Sequence, residues 1–417
     1  MKVLLKNAGR IITVDTKGKN YKTGKELESI GALENHSILI ENGIIKDILN
    51  FRSSVKVKSE KVIDLKGKLL LPGLVECHTH TAFAGSRANE FLMRLNGTTY
   101  EEIAKSGGGI ISTVKAVRQS TFEELIKIIR PRIDYFISQG ITTLEIKSGY
   151  GLSYYDEIKL LQVIDFFRKS LTIDIVPTFL GAHTFPPEYK NDHKSYLKLI
   201  TEELLPFIFK NKLAEFVDAF CEKGAFNSAE VDLIFSIAKD LGYKLRLHTE
   251  QFNNIGGLDI ALKHKALSVD HLEMLSDQDI SKLSSPEIVS VLLPGVSFFL
   301  DYNYAPARKL IENGACVAIS TDYNPGSCNI PSLHFIMSLA ALKLKMNAEE
   351  IISAVTINSA KALDLHTKLG SIEIGKQADF SVFDIKDHSE IIYNIGQNLN
   401  VMTIKKGEII YQRNTEN

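Results

Sequence analysis

The chain has 417 residues, 44% hydrophobic and 24% charged, with 27 Gly and 11 Pro, a composition that excludes disordered, collagenous and membrane-embedded classes. Lys plus Arg number 49 against 50 Asp plus Glu, and a formal charge of −1 builds no basic field for nucleic acid or anionic lipid. The 4 Cys, at Cys77, Cys221, Cys316 and Cys328, stand far apart without a CxxC pair, which points to a reducing, cytoplasmic setting.

The first residues, MKVLLKNAGRIITVDT, alternate like strand residues and lack the long apolar core of a signal peptide. Short strand-like runs broken by Gly, Asn or Lys turns continue to about Lys68, and the same texture returns in SIEIGKQADFSVFDI and NVMTIKKGEIIYQ near the other end. This predicts one small β-sandwich domain assembled from residues 1–68 and 366–417, enclosing a catalytic unit over 69–365.

Between these ends, eight apolar runs alternate with amphipathic stretches: LLLPGLVE, ITTLEIK, IDIVPTFL, EFVDAFC, YKLRLH, ALSVDH, EIVSVLL and CVAIST. Ser120 and Glu123 have capping-box spacing before a helix that Pro131 is expected to kink. Asn227 is placed as an N-cap and Gly242 as the left-handed residue closing the same helix. Eight strands buried on both faces and joined by helices predict a parallel (β/α)8 barrel.

In such a barrel chemistry sits at the C-terminal ends of the strands. The first run ends in Glu76-Cys77-His78-Thr79-His80, and alternation turns both imidazoles to one side. The other runs end in Lys147 and Tyr150, His183, Cys221 and Glu222, His248, Asp270 and His271, and Asp322. Five of the 11 His therefore fall at strand ends, where a random scatter would put few. His78, His80, His248 and Asp322 together offer three nitrogen donors and a carboxylate, a set suited to one divalent metal, Zn(II) or Fe(II), with room for a water made acidic enough for hydrolysis.

With these residues in place the sequence resembles the amidohydrolase superfamily, whose barrels carry H-x-H after strand one, His after strands five and six, and Asp after strand eight. Relatives with two metals bridge them through a carboxylated Lys on strand four; here that strand ends in Cys221 and Glu222, which favours one metal. Within the superfamily the long motifs CHTHTAFAGSR, NEFLMRLNGTTYEEIAKSGGGIIST, TTLEIKSGYGL, FLGAHTFPPEY, VDAFCEKGAF and STDYNPGSC are similar to those of the histidine-degrading hydrolases that open the ring of 4-imidazolone-5-propanoate to N-formimidoyl-L-glutamate.

The resemblance implies a small-molecule substrate and a homodimer, without nucleic acid or membrane as partner. It makes Arg87 the fork for the propanoate carboxylate, and Tyr150, His183, Gln251, Asn324, Gly326 and Ser327 further substrate contacts. Asp322 is the proton shuttle and His271 polarises the carbonyl. Gln251 stands where some relatives have Glu and cannot act as a base, leaving Glu250 as an alternative base or as a residue orienting a ligand His. Gly107, Gly108 and Gly109 lack the Gly-Lys-Ser/Thr of a phosphate loop and read as a hinge. Two alternatives stand beside this reading. Another amidohydrolase, such as a nucleobase deaminase or a cyclic-imide hydrolase, shares the metal ligands but has less need of Arg87. A metal-binding barrel without catalysis is the other.

Overall fold

The structure, a computed structural model, describes residues 1–98, 102 and 108–414. Eight parallel strands form one sheet in sequential order: β1 (Leu74–Glu76), β2 (Ile141–Lys147), β3 (Asp174–Ala182), β4 (Phe216–Cys221), β5 (Lys244–Thr249), β6 (Ser268–His271), β7 (Val289–Leu292) and β8 (Cys316–Ile319). Just past the ends of β1 and β8 a parallel bridge between Thr79 and Tyr323 closes the circle. The His80 amide donates to the Tyr323 carbonyl at 2.9 Å, and the Asp322 amide to the His78 carbonyl at 3.1 Å. The hydrogen bonds that shut the barrel thus also set the H-x-H pair beside Asp322.

Both ends of the chain supply two further sheets. One orders Ile44–Asn50, His36–Glu41, Lys2–Lys6 and Lys61–Asp64; the other orders Glu408–Gln412, Asn400–Lys405, Phe380–Phe383, Leu69–Pro72, Arg10–Ile12 and Ala32–Leu33. Their facing side chains, among them Val3, Leu5, Ile38, Leu70, Phe380 and Ile404, form a separate core. The run LLLPGLVE, expected as one strand, is divided. Leu69–Pro72 pairs in the six-stranded sheet, and only Leu74–Glu76 enters the barrel. Alternation explains why its first half is apolar throughout: Leu70 faces the sandwich core while Leu69 and Leu71 join the barrel core.

Helix boundaries follow local chemistry. The helix Phe122–Ser138 starts one residue later than expected, because Thr121, not Ser120, accepts the Glu124 amide while Glu124 reaches back in a capping box, and it runs on through Pro131. Asn227 caps Ser228–Leu241 by accepting from the Ala229 and Glu230 amides, and Gly242 closes that helix at φ 98°. No helix among the described residues is long and apolar enough to cross a membrane.

Inside the barrel, strand alternation separates two layers. Val75, Val176, Phe216, Val289, Val291, Cys316 and Ala318 form an apolar plug. Nearer the strand ends the inward positions carry charge instead: Lys147, Asp218, Arg246, His248 and Asp270, all buried. A layer of ionised groups in that place costs desolvation unless each is paired, which marks it as built for a purpose other than stability.

Candidate active site

At the mouth, the Nε2 of His80 lies 3.3 Å from Nε2 of His248 and 3.2 Å from Oδ1 of Asp322, and Nε2 of His78 is 3.3 Å from the same oxygen. One donor atom from each of the four residues falls within 4.8 Å of all the others, and all four residues are buried. His78 Nε2 and Asp322 Oδ1 have no hydrogen-bond partner among the described residues. Two buried acceptor atoms facing each other are costly in a protein and are satisfied by a shared cation, so the donor set fits a divalent metal.

The tautomers agree with this. His78 Nδ1 donates to Asp270 Oδ2 at 2.6 Å and His248 Nδ1 donates to Asp218 Oδ1 at 3.0 Å, so each ring keeps its Nε2 lone pair bare toward the cluster. Burial pushes the Asp270 carboxyl up, but the charge of Arg246 and the hydrogen bond from His78 outweigh it and hold the group ionised. Asp218 is likewise held well below the usual range, His248 and Lys147 overcoming burial.

Three further expected residues, His183, Tyr150 and His271, are gathered at the same mouth. The His183 ring stacks on His80 with centroids 5.1 Å apart, and Tyr150 lies 5.3 Å from His183. Burial, with His80 nearby, brings the His183 pKa down to about 3, so this ring is neutral; its Nδ1 donates to the Gly149 carbonyl at 3.0 Å. The His271 ring sits 5.4 Å from that of His248 at a left-handed φ of 85°, and Asp322 has φ 50°; strained backbone of this kind concentrates where geometry is set by function. Burial works to strip a proton from His271, but Glu273, with Oε1 3.8 Å from Nδ1, more than compensates and raises its pKa.

Two expected residues are committed elsewhere. The Glu250 carboxylate accepts from Thr249 Oγ1 and, at 3.4 Å, from the Leu258 amide at the start of the helix Gly257–His264, so it faces that helix. Orientation of the ligand rings falls to Asp218 and Asp270 instead. The Asn324 side chain is used within its own loop: Oδ1 accepts from the Gly326 and Ser327 amides at 2.8 and 2.7 Å, and Nδ2 donates to Asp322 Oδ2 at 3.0 Å and to Ser327 Oγ at 2.9 Å. This ties the Gly326 turn to Asp322. Gln251, also buried, donates to the Tyr302 hydroxyl at 3.4 Å.

Arg87 borders a cavity of about 220 Å³ that is also lined by Glu90, Phe299 and Gly326. Its guanidinium packs so closely on Gly326 that a Cβ there would lie 1.9 Å from Nη1. Of the three glycines read as a hinge, Gly107 lies outside the described residues, while Gly109, at φ 74°, precedes the helix Ile110–Gln119 and donates its amide to Glu90 Oε1 at 3.0 Å.

A closed parallel barrel with three imidazoles and an aspartate at its mouth defines a class, and the comparisons agree: the amidohydrolase family profile matches residues 69–410, and the chain belongs to that family. Solved structures share the fold: an adenosine deaminase from Xanthomonas campestris with bound zinc (TM-score 0.75, 18% identity, covering 99% of this chain and 94% of that one) and Escherichia coli guanine deaminase (0.77, 16%, 99% and 100%). Within the family the chain belongs with the imidazolonepropionases. It is 40% identical to the imidazolonepropionase of Clostridium tetani over 414 residues (99% of this chain, 98% of the relative) and 40% identical to that of Geobacillus thermodenitrificans over 413 (98% and 97%).

Proposed function

We propose that the chain hydrolyses a ring C–N bond of 4-imidazolone-5-propanoate, giving N-formimidoyl-L-glutamate in histidine degradation. The observation that carries this reading is the meeting of His78, His80, His248 and Asp322 donors at one point in the barrel mouth, in a chain whose relatives over nearly its full length are imidazolonepropionases. One divalent ion, Zn(II) or Fe(II), held by these four residues supplies a Lewis acid that makes a water acidic near neutral pH.

The chain's own groups do the rest. Asp322 takes the proton of the attacking water and passes it to the ring nitrogen as the C–N bond breaks. His271, kept protonatable by Glu273, donates to the carbonyl oxygen as negative charge gathers there. Arg87 holds the propanoate carboxylate through its Nη edge, since its Nε is already bonded to Glu90. Tyr150 and neutral His183 wall the ring beside His80, and Gln251, Gly326 and Ser327 are further substrate contacts. Asn324 contributes by fixing the turn that carries Gly326. Glu250 has no proton-transfer role in this scheme.

The same reading assigns the catalytic barrel to 69–365 and the accessory domain to 1–68 and 366–417, with Leu69–Pro72 as the strand passing between them. It takes the protein as a cytoplasmic homodimer. Purified, metal-loaded protein is expected to consume 4-imidazolone-5-propanoate, followed by loss of the ring chromophore, and to release no ammonia from adenine, guanine or cytosine. Ammonia release without ring opening would assign the chain to the deaminases, and metal-replete protein with neither activity would make it a binding protein.

A further inference from the structure

Beneath the four converging donors lies a charged layer that the scheme above does not use. Asp218, His248 and Asp270 form a second group whose possible donor atoms lie within 4.8 Å of one another. Such a group invites a second cation, yet each acid already has one. The Lys147 ammonium is 2.9 Å from Asp218 Oδ2 and 2.9 Å from Glu145 Oε1, and Arg246 Nη2 is 3.0 Å from Asp270 Oδ2. All five of these side chains have 0% exposure. Lys147 ends β2, and alternation puts it on the same inward face as Glu145, opposite β4 and Asp218 only through the barrel interior.

We propose that Lys147 is a positioning residue for a single-metal centre: held against Glu145 on one side, its ammonium neutralises Asp218 of the second donor group, and by pinning Asp218 it keeps His248 aimed, Nε2 first, at the metal. The proposal rests on the metal reading of His78, His80, His248 and Asp322. Without the ammonium, the buried Asp218 would lose its ion-pair partner at Oδ2 and be free to turn away from His248. That movement takes away the acceptor that holds His248 Nδ1. Partners that orient a ligand ring in this way are worth about 10- to 100-fold in metal affinity.

The test compares the full-length wild type with Lys147→Met and Lys147→Arg, each loaded with Zn(II). Bound metal is counted by mass spectrometry, and release of Zn(II) to a chromogenic chelator is timed. The wild type is expected to hold one equivalent, Lys147→Met to release it about 10- to 100-fold faster, and Lys147→Arg to stay within a few-fold of wild type because the charge is kept. A folded Lys147→Met protein releasing zinc at the wild-type rate overturns the proposal, as does a second tightly held equivalent in the wild type. Should the methionine variant not fold, Lys147→Gln is read by the same criteria. His248→Ala separates the two levels of inference: if it keeps its zinc, the metal reading itself fails, whereas an emptied His248→Ala beside an unaffected Lys147→Met removes only the role of Lys147.

Discussion

Glu90 accepts the Nε of Arg87 at 2.7 Å with one carboxylate oxygen, while the other accepts the Gly109 amide at 3.0 Å and Ser112 Oγ at 2.9 Å. An acid placed against a cation proposed to hold the substrate looks self-defeating, since it cancels the charge. It engages the Nε alone, however, and fixes the plane of the fork, which is what bidentate recognition of a carboxylate requires.

Glu90→Gln is therefore expected to raise KM for the propanoate substrate by about 10-fold, the worth of one charge-assisted hydrogen bond, with kcat within a few-fold of wild type. Steady-state kinetics decide: a fall in kcat at constant KM would mean that Glu90 does not act through Arg87. Gly326→Ala is expected to raise KM as well, because the added carbon must displace the guanidinium it would meet at 1.9 Å.

What the sequence made legible is the part of the site that obeys strand periodicity. His78, His80, His183, His248 and His271 stand at the ends of apolar runs, and the barrel rule turns those ends into a mouth. Less legible were residues whose role depends on what faces them across the barrel. Asp218 and Arg246 lie inside β4 and β5, where a charge in a strand run gives no hint of its partner. Glu273 and Tyr302 sit in loops after β6 and β7, and only their approach to His271 and Gln251 marks them. Glu250 was misleading for the opposite reason: it is next to a strand end, but at φ 50° its backbone turns the carboxylate toward a helix start. The division of LLLPGLVE was hidden because a strand covered on both faces reads the same in a sandwich as in a barrel.

The accessory domain is riveted to the barrel by a buried lysine. Lys405 has 0% exposure, and its Nζ lies 2.6 Å from Asp174 at the start of β3 and 2.7 Å from Asp379. Lys405→Met strands the Asp379 carboxylate in the interior, for which a loss of about 3 kcal/mol is expected, at the lower end for a broken buried pair because Asp174 still reaches solvent. Denaturant unfolding measures it; a loss below 1 kcal/mol would mean that the two acids find other partners.

Glu373 gives a pH dependence whose sign can be fixed. Burial pushes its carboxyl up, but a hydrogen bond from Ser371 and the charge of Lys376, 3.2 Å away, bring it down to about 2. A folded-state value below the unfolded one means that the group stabilises the fold above about pH 4.5 and that this contribution disappears as pH falls through about 2. Glu373→Gln is thus expected to melt below wild type at pH 7, by on the order of 1 kcal/mol after solvent screening, and the two curves should converge in acid. A gap that stays constant from pH 7 to pH 3 would assign the effect to packing.

His271 tests the division of labour at the mouth. It is an imidazole near the ligand rings, so it could be counted as a fifth ligand, but its Nδ1 faces Glu273 and it stands outside the group of four donors that share one point. If it donates to the developing oxyanion, His271→Asn should lower kcat by about 100-fold or more, the usual loss for one such donor, while one equivalent of metal remains bound and KM changes little. If it is a ligand, the same variant should lose its metal, and restoring the metal concentration should restore much of the rate. Glu273→Gln refines the choice: by removing the charge that keeps the imidazole protonatable, it should slow turnover most at the alkaline side of the pH profile, where an unassisted histidine has already lost its proton.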